Sequence, residues 1–193
     1  KHIISCLNTG KICIFTNTGK MHQAKVLDLP YGNFRSKGIP IDNVCNFNSA
    51  EEEIVYICDE NQFRIAKLLF TTKNGMVKKV DGSEFLVGKR TIAATKLADG
   101  DFLLSVQVIN DKQSIVLQTE GGYFLRFHGS EVSEMKKTAV GVKGIKLQKN
   151  DLIEAVHLFE EGKETKVLYK EKEISLNRLK AASRGGSGNK QRV

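Results

Sequence analysis

With 193 residues, 40% of them hydrophobic, the chain is long enough to bury a substantial core and too apolar for a disordered polymer. Its 2 prolines and 17 glycines leave room for regular structure, and 7% aromatic residues without a single Trp argue against an aromatic-lined sugar or cofactor site. Thirty Lys and Arg against 22 Asp and Glu give a formal charge of +8, a field that favours polyanionic partners, nucleic acid first among them.

The first predicted element is a hairpin over IFTNTGKM (14–21), two β-rich runs joined by a polar turn at Thr18-Gly19. A short segment with an apolar end, LDLP (27–30), a basic loop, FRSKG (34–38), and an apolar strand, IPIDNV (39–44), follow it. Cys6, Cys13, Cys45 and Cys58 all fall in this first third with no CxxC or Cys/His pairing of zinc spacing. Cys13 and Cys58 lie inside apolar runs and read as small buried hydrophobes in a reducing cytoplasm. Glu51, Glu52 and Glu53 read as a solvated connecting loop.

The same order then returns. FTTKNGMV (70–77) is a hairpin on Asn74-Gly75, followed by GSEF (82–85), basic GKRT (88–91) and the apolar ATKLADGDFLLSVQVI (94–109). There, Leu104, Val106 and Val108 alternate with Ser105 and Gln107, which predicts a strand burying the first three. LQTEGGYF (117–124) turns on Gly121-Gly122 and leads to GSEV (129–132), basic EMKKTAVGVKG (134–144) and IKLQKNDLIEAVHLF (145–159). After an acidic loop with Glu160, Glu161 and Glu164, a fourth hairpin, VLYKEKEI (167–174), has lost its glycine and must turn differently. NRLK (177–180) and SRGGSGNK (183–190) close the series.

Turn glycines at 19, 75 and 122 set a period of about 50 residues, the range of propeller blades. Helical spacing is weak throughout. The expected fold is therefore all-β, a single domain over 1–193 with approximate repeat units 1–58, 63–110, 111–160 and 164–193, each burying its apolar face against its neighbours. Basic loops at the same point of every unit would emerge on one rim.

From Lys166 to Val193, eight basic residues face only Glu171 and Glu173, so much of the excess charge sits at one end; this is either a polyanion-binding segment or a solvated basic tail. The run Gly185-Gly186-Ser187-Gly188 can form an anion-binding nest or a flexible tail. Neither GGSGNK nor AVGVKG has the spacing of a nucleotide-binding loop opening a helix, so ATP binding is rejected. His2, His22, His128 and His157 are scattered without an acidic partner at useful spacing, and Tyr31, Tyr56, Tyr123 and Tyr169 read as structural, so no active site is expected. No signal peptide or membrane-length apolar run is visible, which predicts a cytoplasmic protein. The first residue is Lys rather than Met, as expected of a piece of a longer polypeptide.

Three motifs resemble one known family. GKICIFTNTGKMHQAKVLDLP…SKGIPIDNV is similar to a hydrophobic strand, TxxG hairpin and KGxPIxN closure, TTKNGMVKKVDGSEF to an xTKxGxVKKxxxSEF strand pair, and SEVSEMKKTAVGVKGIKL to SEVxxMxRxAxGVxGIxL. These are patterns of the C-terminal DNA-binding domain of the bacterial type IIA topoisomerase A subunit, in gyrase and topoisomerase IV. The resemblance implies a β-pinwheel, a propeller-like disc whose blades exchange strands and whose basic rim binds and bends duplex DNA. The partners it implies are the ATPase B subunit together with the rest of the A subunit. The catalytic Tyr, ATP and Mg2+ would lie in other domains, with no cofactor or small-molecule substrate here. The gyrase branch carries a QRRGGKG box in its first blade. Ala182 to Gly188 keeps only an Arg and glycines of it, which favours bending over full wrapping and leaves the two branches open.

The DNA-binding candidates are Arg35 and Lys37, Lys89 and Arg90, Lys136, Lys137 and Lys143, and Arg184, Lys190 and Arg192, with Lys78 and Lys79 beside the second hairpin. The rival reading is a protein-interaction propeller whose rim binds an acidic partner.

Overall fold

Thr-Asn-Thr-Gly, Thr-Lys-Asn-Gly and Thr-Glu-Gly-Gly each close a hairpin the same way. In the computed structural model, which describes residues 3–192, the N–H groups of Gly19, Gly75 and Gly122 donate to the carbonyls of Thr16, Thr72 and Thr119 at 3.0, 3.0 and 2.9 Å. All three glycines sit at φ near +80°, where a side chain is strained. The fourth hairpin uses a two-residue turn with Lys170 and Glu171 at φ of 44° and 66°.

The first unit contributes β1 (Lys11–Thr16), β2 (Lys20–Lys25) and β3 (Ile54–Asp59). The second contributes β4 (Lys67–Thr72), β5 (Met76–Asp81), β6 (Thr91–Ala93) and β7 (Leu103–Ile109). The third contributes β8 (Gln113–Thr119), β9 (Tyr123–His128), β10 (Val142–Lys143) and β11 (Ile153–Glu160), and the fourth β12 (Lys166–Tyr169), β13 (Lys172–Ser175) and β14 (Asn189–Lys190). A short 3-10 turn follows each hairpin, at 26–28, 82–85, 129–131 and 176–178.

Blades are built across units. The antiparallel sheets run β3-β1-β2-β6, β10-β5-β4-β7 and β11-β8-β9-β14, with β12-β13 as a pair. The hairpin and return strand of each of the first three units are thus completed by a short arm from the next unit, as in a strand-exchanging pinwheel. The arms seat alike: the N–H groups of Ala94, Gly144 and Gln191 donate to the carbonyls of Gly19, Gly75 and Gly122 at 2.8, 2.7 and 2.9 Å. Strand β7 packs against both β3 and β11, so the return strands gather on one side of the blades and β6, β10 and β14 lie on the opposite edges.

Strand alternation sends successive residues into different cores. Leu68 and Phe70 of β4 pack with Cys13, Phe15 and Cys58 of the first blade, whereas Leu69 packs with Ile115 and Leu117 of the third. Phe15, Phe63, Phe70 and Phe85 form an aromatic centre with several ring centroids 5.4–6.0 Å apart. Val116, Phe124 and Phe159 cover Tyr169 and Leu176 of the fourth unit. Cys13 and Cys58 face each other across β1 and β3 as buried free thiols, and burial pushes the Cys13 thiol up to about 12.

Three expectations are corrected. IPIDNV is not a strand: Ile41–Asn43 is a 3-10 turn, Pro40 offers no N–H for a ladder, and β3 is the return strand instead. In β7 the buried residues are Leu103, Val106 and Ile109, not Leu104 and Val108: the register shift opposite Thr71 and Thr72 puts Leu103 with Val106 in one core, Ile109 enters the next, and Val108 is left exposed. Glu52 is no solvated loop residue, being only 4% exposed.

Candidate nucleic-acid interface

The arms carry the repeated cations. Lys143 of β10 stands opposite Met76, and Lys190 of β14 opposite Tyr123, each partner being the residue after a turn glycine. Both lysines are exposed on the outer edges of successive blades, and Lys190 lies over the Tyr123 ring. Ala93 takes the same place in β6, with Arg90 and Lys89 exposed just before it. Arg192, two residues beyond Lys190, is exposed as well.

In the third unit, Lys136 is exposed and pairs with Glu84 at 3.3 Å. Half-buried Lys137 donates its N–H to Glu84 Oε2 at 3.0 Å and its ammonium to the Glu84 carbonyl at 3.3 Å. Burial works to raise the Glu84 carboxyl, but these bonds and the two lysine charges outweigh it and hold the group below its ordinary value. In the first unit, Arg35 and Lys37 lie on an exposed turn stapled by Asn33, whose Oδ1 accepts the Arg35 N–H at 2.9 Å. Tyr31 and Phe34 on that turn are fully exposed, so Tyr31 packs into no core.

Two predicted contacts are relocated. Lys78 is 1% exposed and lies over Phe70; its ammonium donates to the carbonyls of Ala139, Lys137 and Lys136 at 2.6, 2.9 and 3.4 Å. Burial pushes this ammonium down to about 8. Lys79, 7% exposed, points to Asp111 at 3.9 Å. Both sit between blades, where a strand is covered on two faces, and neither presents a charge to a rim.

Arg184 is half-buried and binds inward: its N–H donates to Glu131 Oε2 at 2.8 Å, its Nε to the Glu131 carbonyl at 2.9 Å, and one terminal nitrogen to the Lys143 carbonyl at 2.6 Å. The glycine run beside it is docked, not a loose tail. Gly185 donates to Gly144 at 2.7 Å, Gly186 donates to Ser183 at 3.2 Å, and Lys146 donates to the Gly186 carbonyl at 2.8 Å. Two N–H groups that a nest would aim at an anion are therefore engaged within the protein.

Sequence spacing also missed residues. Lys11 and Lys25, opposite each other at the open end of the first hairpin, line one small cleft with Asp28 and Arg90. His22 does have an acidic partner, Glu52, 30 residues away, at 2.9 Å from Nε2, while its Nδ1 meets Thr91 Oγ1 at 2.9 Å. Because His22 is buried and the Thr91 hydroxyl also receives Asn46 Nδ2 at 3.1 Å, this trio laces β6 to the first hairpin. His2, with Lys1 and Val193, lies outside the described residues.

The repeat itself decides the family. Residues 66–110 and 113–160, the second and third units, each match the family described as DNA gyrase C-terminal domain, beta-propeller. The chain belongs to this family. It is 32% identical over 196 residues to the DNA gyrase A subunit of Lawsonia intracellularis, a match covering 97% of this chain and 24% of that protein. With its counterpart from Chlamydia muridarum it is 33% identical over 154 residues, covering 78% and 18%. The chain thus spans a quarter or less of these curated relatives. Among solved structures, the C-terminal domain of DNA topoisomerase IV superposes with a TM-score of 0.90 at 27% identity, covering 97% of this chain and 60% of that one. The E. coli ParC C-terminal domain superposes at 0.81 with 18% identity, covering 100% and 80%, a likeness of fold.

Proposed function

We propose that this gyrase-family domain binds duplex DNA along its blade edges and bends it, presenting a DNA segment to the cleavage gate of a parent type IIA topoisomerase. The observation that carries the reading is the equivalent placement of Lys143 and Lys190 on the outer edges of successive blades, with Lys136 and Arg192 close to them in sequence and Arg90 just before the matching arm β6. Such edges can follow a phosphate backbone from blade to blade. Recognition runs through backbone charge and DNA deformability, because among the described residues there are only strands and 3-10 turns, and no α-helix to enter a major groove. In this reading the four units of 1–193 act as one domain. The partners are an ATPase B subunit together with the rest of the A subunit. ATP, Mg2+ and the catalytic Tyr belong to those parts; the docked Gly185–Gly186 run supplies no open cradle for a nucleotide.

Titration of random-sequence duplex at several salt concentrations tests this. The wild type should bind with a steep salt dependence, and Lys136→Ala with Lys137→Ala should weaken all sequences alike and flatten the slope by up to about 2. Equal binding by the double variant would reject these loops as contacts. No retardation of DNA even at low salt would favour an acidic protein partner instead.

A further inference from the structure

The basic loops that lead into β6 and β10 are each gripped by the preceding hairpin. Gln23 Nε2 donates to the carbonyls of Val87 and Lys89 at 3.2 and 2.7 Å, and the Gln23 N–H donates to that of Arg90 at 2.8 Å. Lys78 Nζ takes three carbonyls between 136 and 139. Arg126 donates from one terminal nitrogen to Asn177 and Leu179 at 2.8 and 3.1 Å, in the segment leading into the last arm. An amide and an ammonium, four and three residues past a turn glycine, thus perform one task on two successive units, while the Arg126 guanidinium holds the turn before the last basic loop. What they share is N–H donation to main-chain oxygens.

The task has an electrostatic consequence. A loop of bare peptide presents carbonyl acceptors as well as N–H donors, and the acceptors repel phosphate. Seen from outside, the 136–139 loop has three carbonyls turned inward while the Lys136 side chain is 81% exposed. Among the described residues Lys78 makes no ion pair within 4.0 Å to offset its burial, so these carbonyls are what its charge is buried for. Building on the DNA-binding reading, we infer that Gln23 and Lys78 are positioning residues for DNA binding. Each draws the carbonyls of the following unit inward and leaves the arm's outer face to cations.

Gln23→Leu and Lys78→Met, made in the full chain and checked by thermal melting, test this against random-sequence duplex. Each should weaken binding about three- to tenfold and flatten the salt dependence by about 1. Gln23 carries no charge, so a flatter slope in its variant reports the loss of Lys89 and Arg90 from the interface, which a purely structural role would not produce. Lys78→Met should add no further loss to the Lys136→Ala, Lys137→Ala pair, and Lys78→Arg should restore binding. If the wild type binds and both folded variants match it in affinity and slope, the positioning role is wrong while the DNA reading stands. If Lys78→Met does not fold, Gln23→Leu alone decides. A wild type that fails to bind duplex removes the DNA reading and this inference together.

Discussion

The carboxylate of Glu131 accepts the backbone N–H of Arg184, 53 residues further along the chain, at 2.8 Å. Glu84 receives Lys137 in the same way at 3.0 Å, and both glutamates end a Gly-Ser-Glu sequence in the turn after a hairpin. Glu131→Ala should lower stability by about 1 kcal/mol, whereas Glu131→Gln, which keeps an acceptor, should lose less than half of that in urea titrations.

Acid should open the first blade through Glu52. Burial raises this carboxyl, yet hydrogen bonds from Thr18, the Asn48 N–H, Lys20 and His22 outweigh it and bring the group from 4.5 down to about 2. A folded-state value below the unfolded one means that the stabilisation is present above about pH 4.5 and is lost as pH falls towards 2, a loss of roughly 3 kcal/mol. Melting temperature followed from pH 6 to pH 2 should drop more steeply in the wild type than in Glu52→Gln, which starts lower because it leaves His22 and Lys20 without their anion.

Gly144 and Ala94 hold the same place in successive arms, but for a spatial reason rather than a torsional one. A methyl added at Gly144 would lie 2.7 Å from Val77 Cγ1 and 2.9 Å from Leu117 Cδ1, and its φ is not in the left-handed region. Gly144→Ala should cost about 1–3 kcal/mol by overpacking. Ala94→Gly, at a fully buried methyl, should cost about 1 kcal/mol through lost packing and a freer unfolded chain, both measured by denaturant unfolding.

The fourth hairpin carries a torsional penalty at Lys170 and Glu171, both left-handed without being Gly or Asn. Replacing the pair with Asn-Gly should raise stability by about 1 kcal/mol, less whatever the Lys170 ammonium contributes over the Tyr169 ring. Differential scanning calorimetry of the variant should show a higher melting temperature.

The hairpins were legible because a Thr and a Gly three residues later define a bulged turn wherever they recur. The arms were legible as basic loops, and their equivalence follows from the turn glycines. Lys78 and Lys79 were misplaced because residue type signals exposure only where one strand face is wet; in β5 all four residues from Val77 to Val80 are buried between blades. Glu52 was hidden among Glu51 and Glu53, since nothing local marks which of three glutamates faces Thr16, Thr18 and His22. Glu84 and Glu131 did have a signal, an acidic residue nine positions after the turn glycine in both units, and a comparison of the two copies position by position would have isolated it.

Because β6 closes the edge of β2, the first blade cannot be finished when its own hairpin and return strand have been made. A ribosome adding about 5–20 residues per second leaves that edge open for several seconds until residues 91–93 emerge, and each later blade waits on its successor in turn. Order of synthesis and order of completion are therefore offset by one unit, and the newest hairpin is always the vulnerable one.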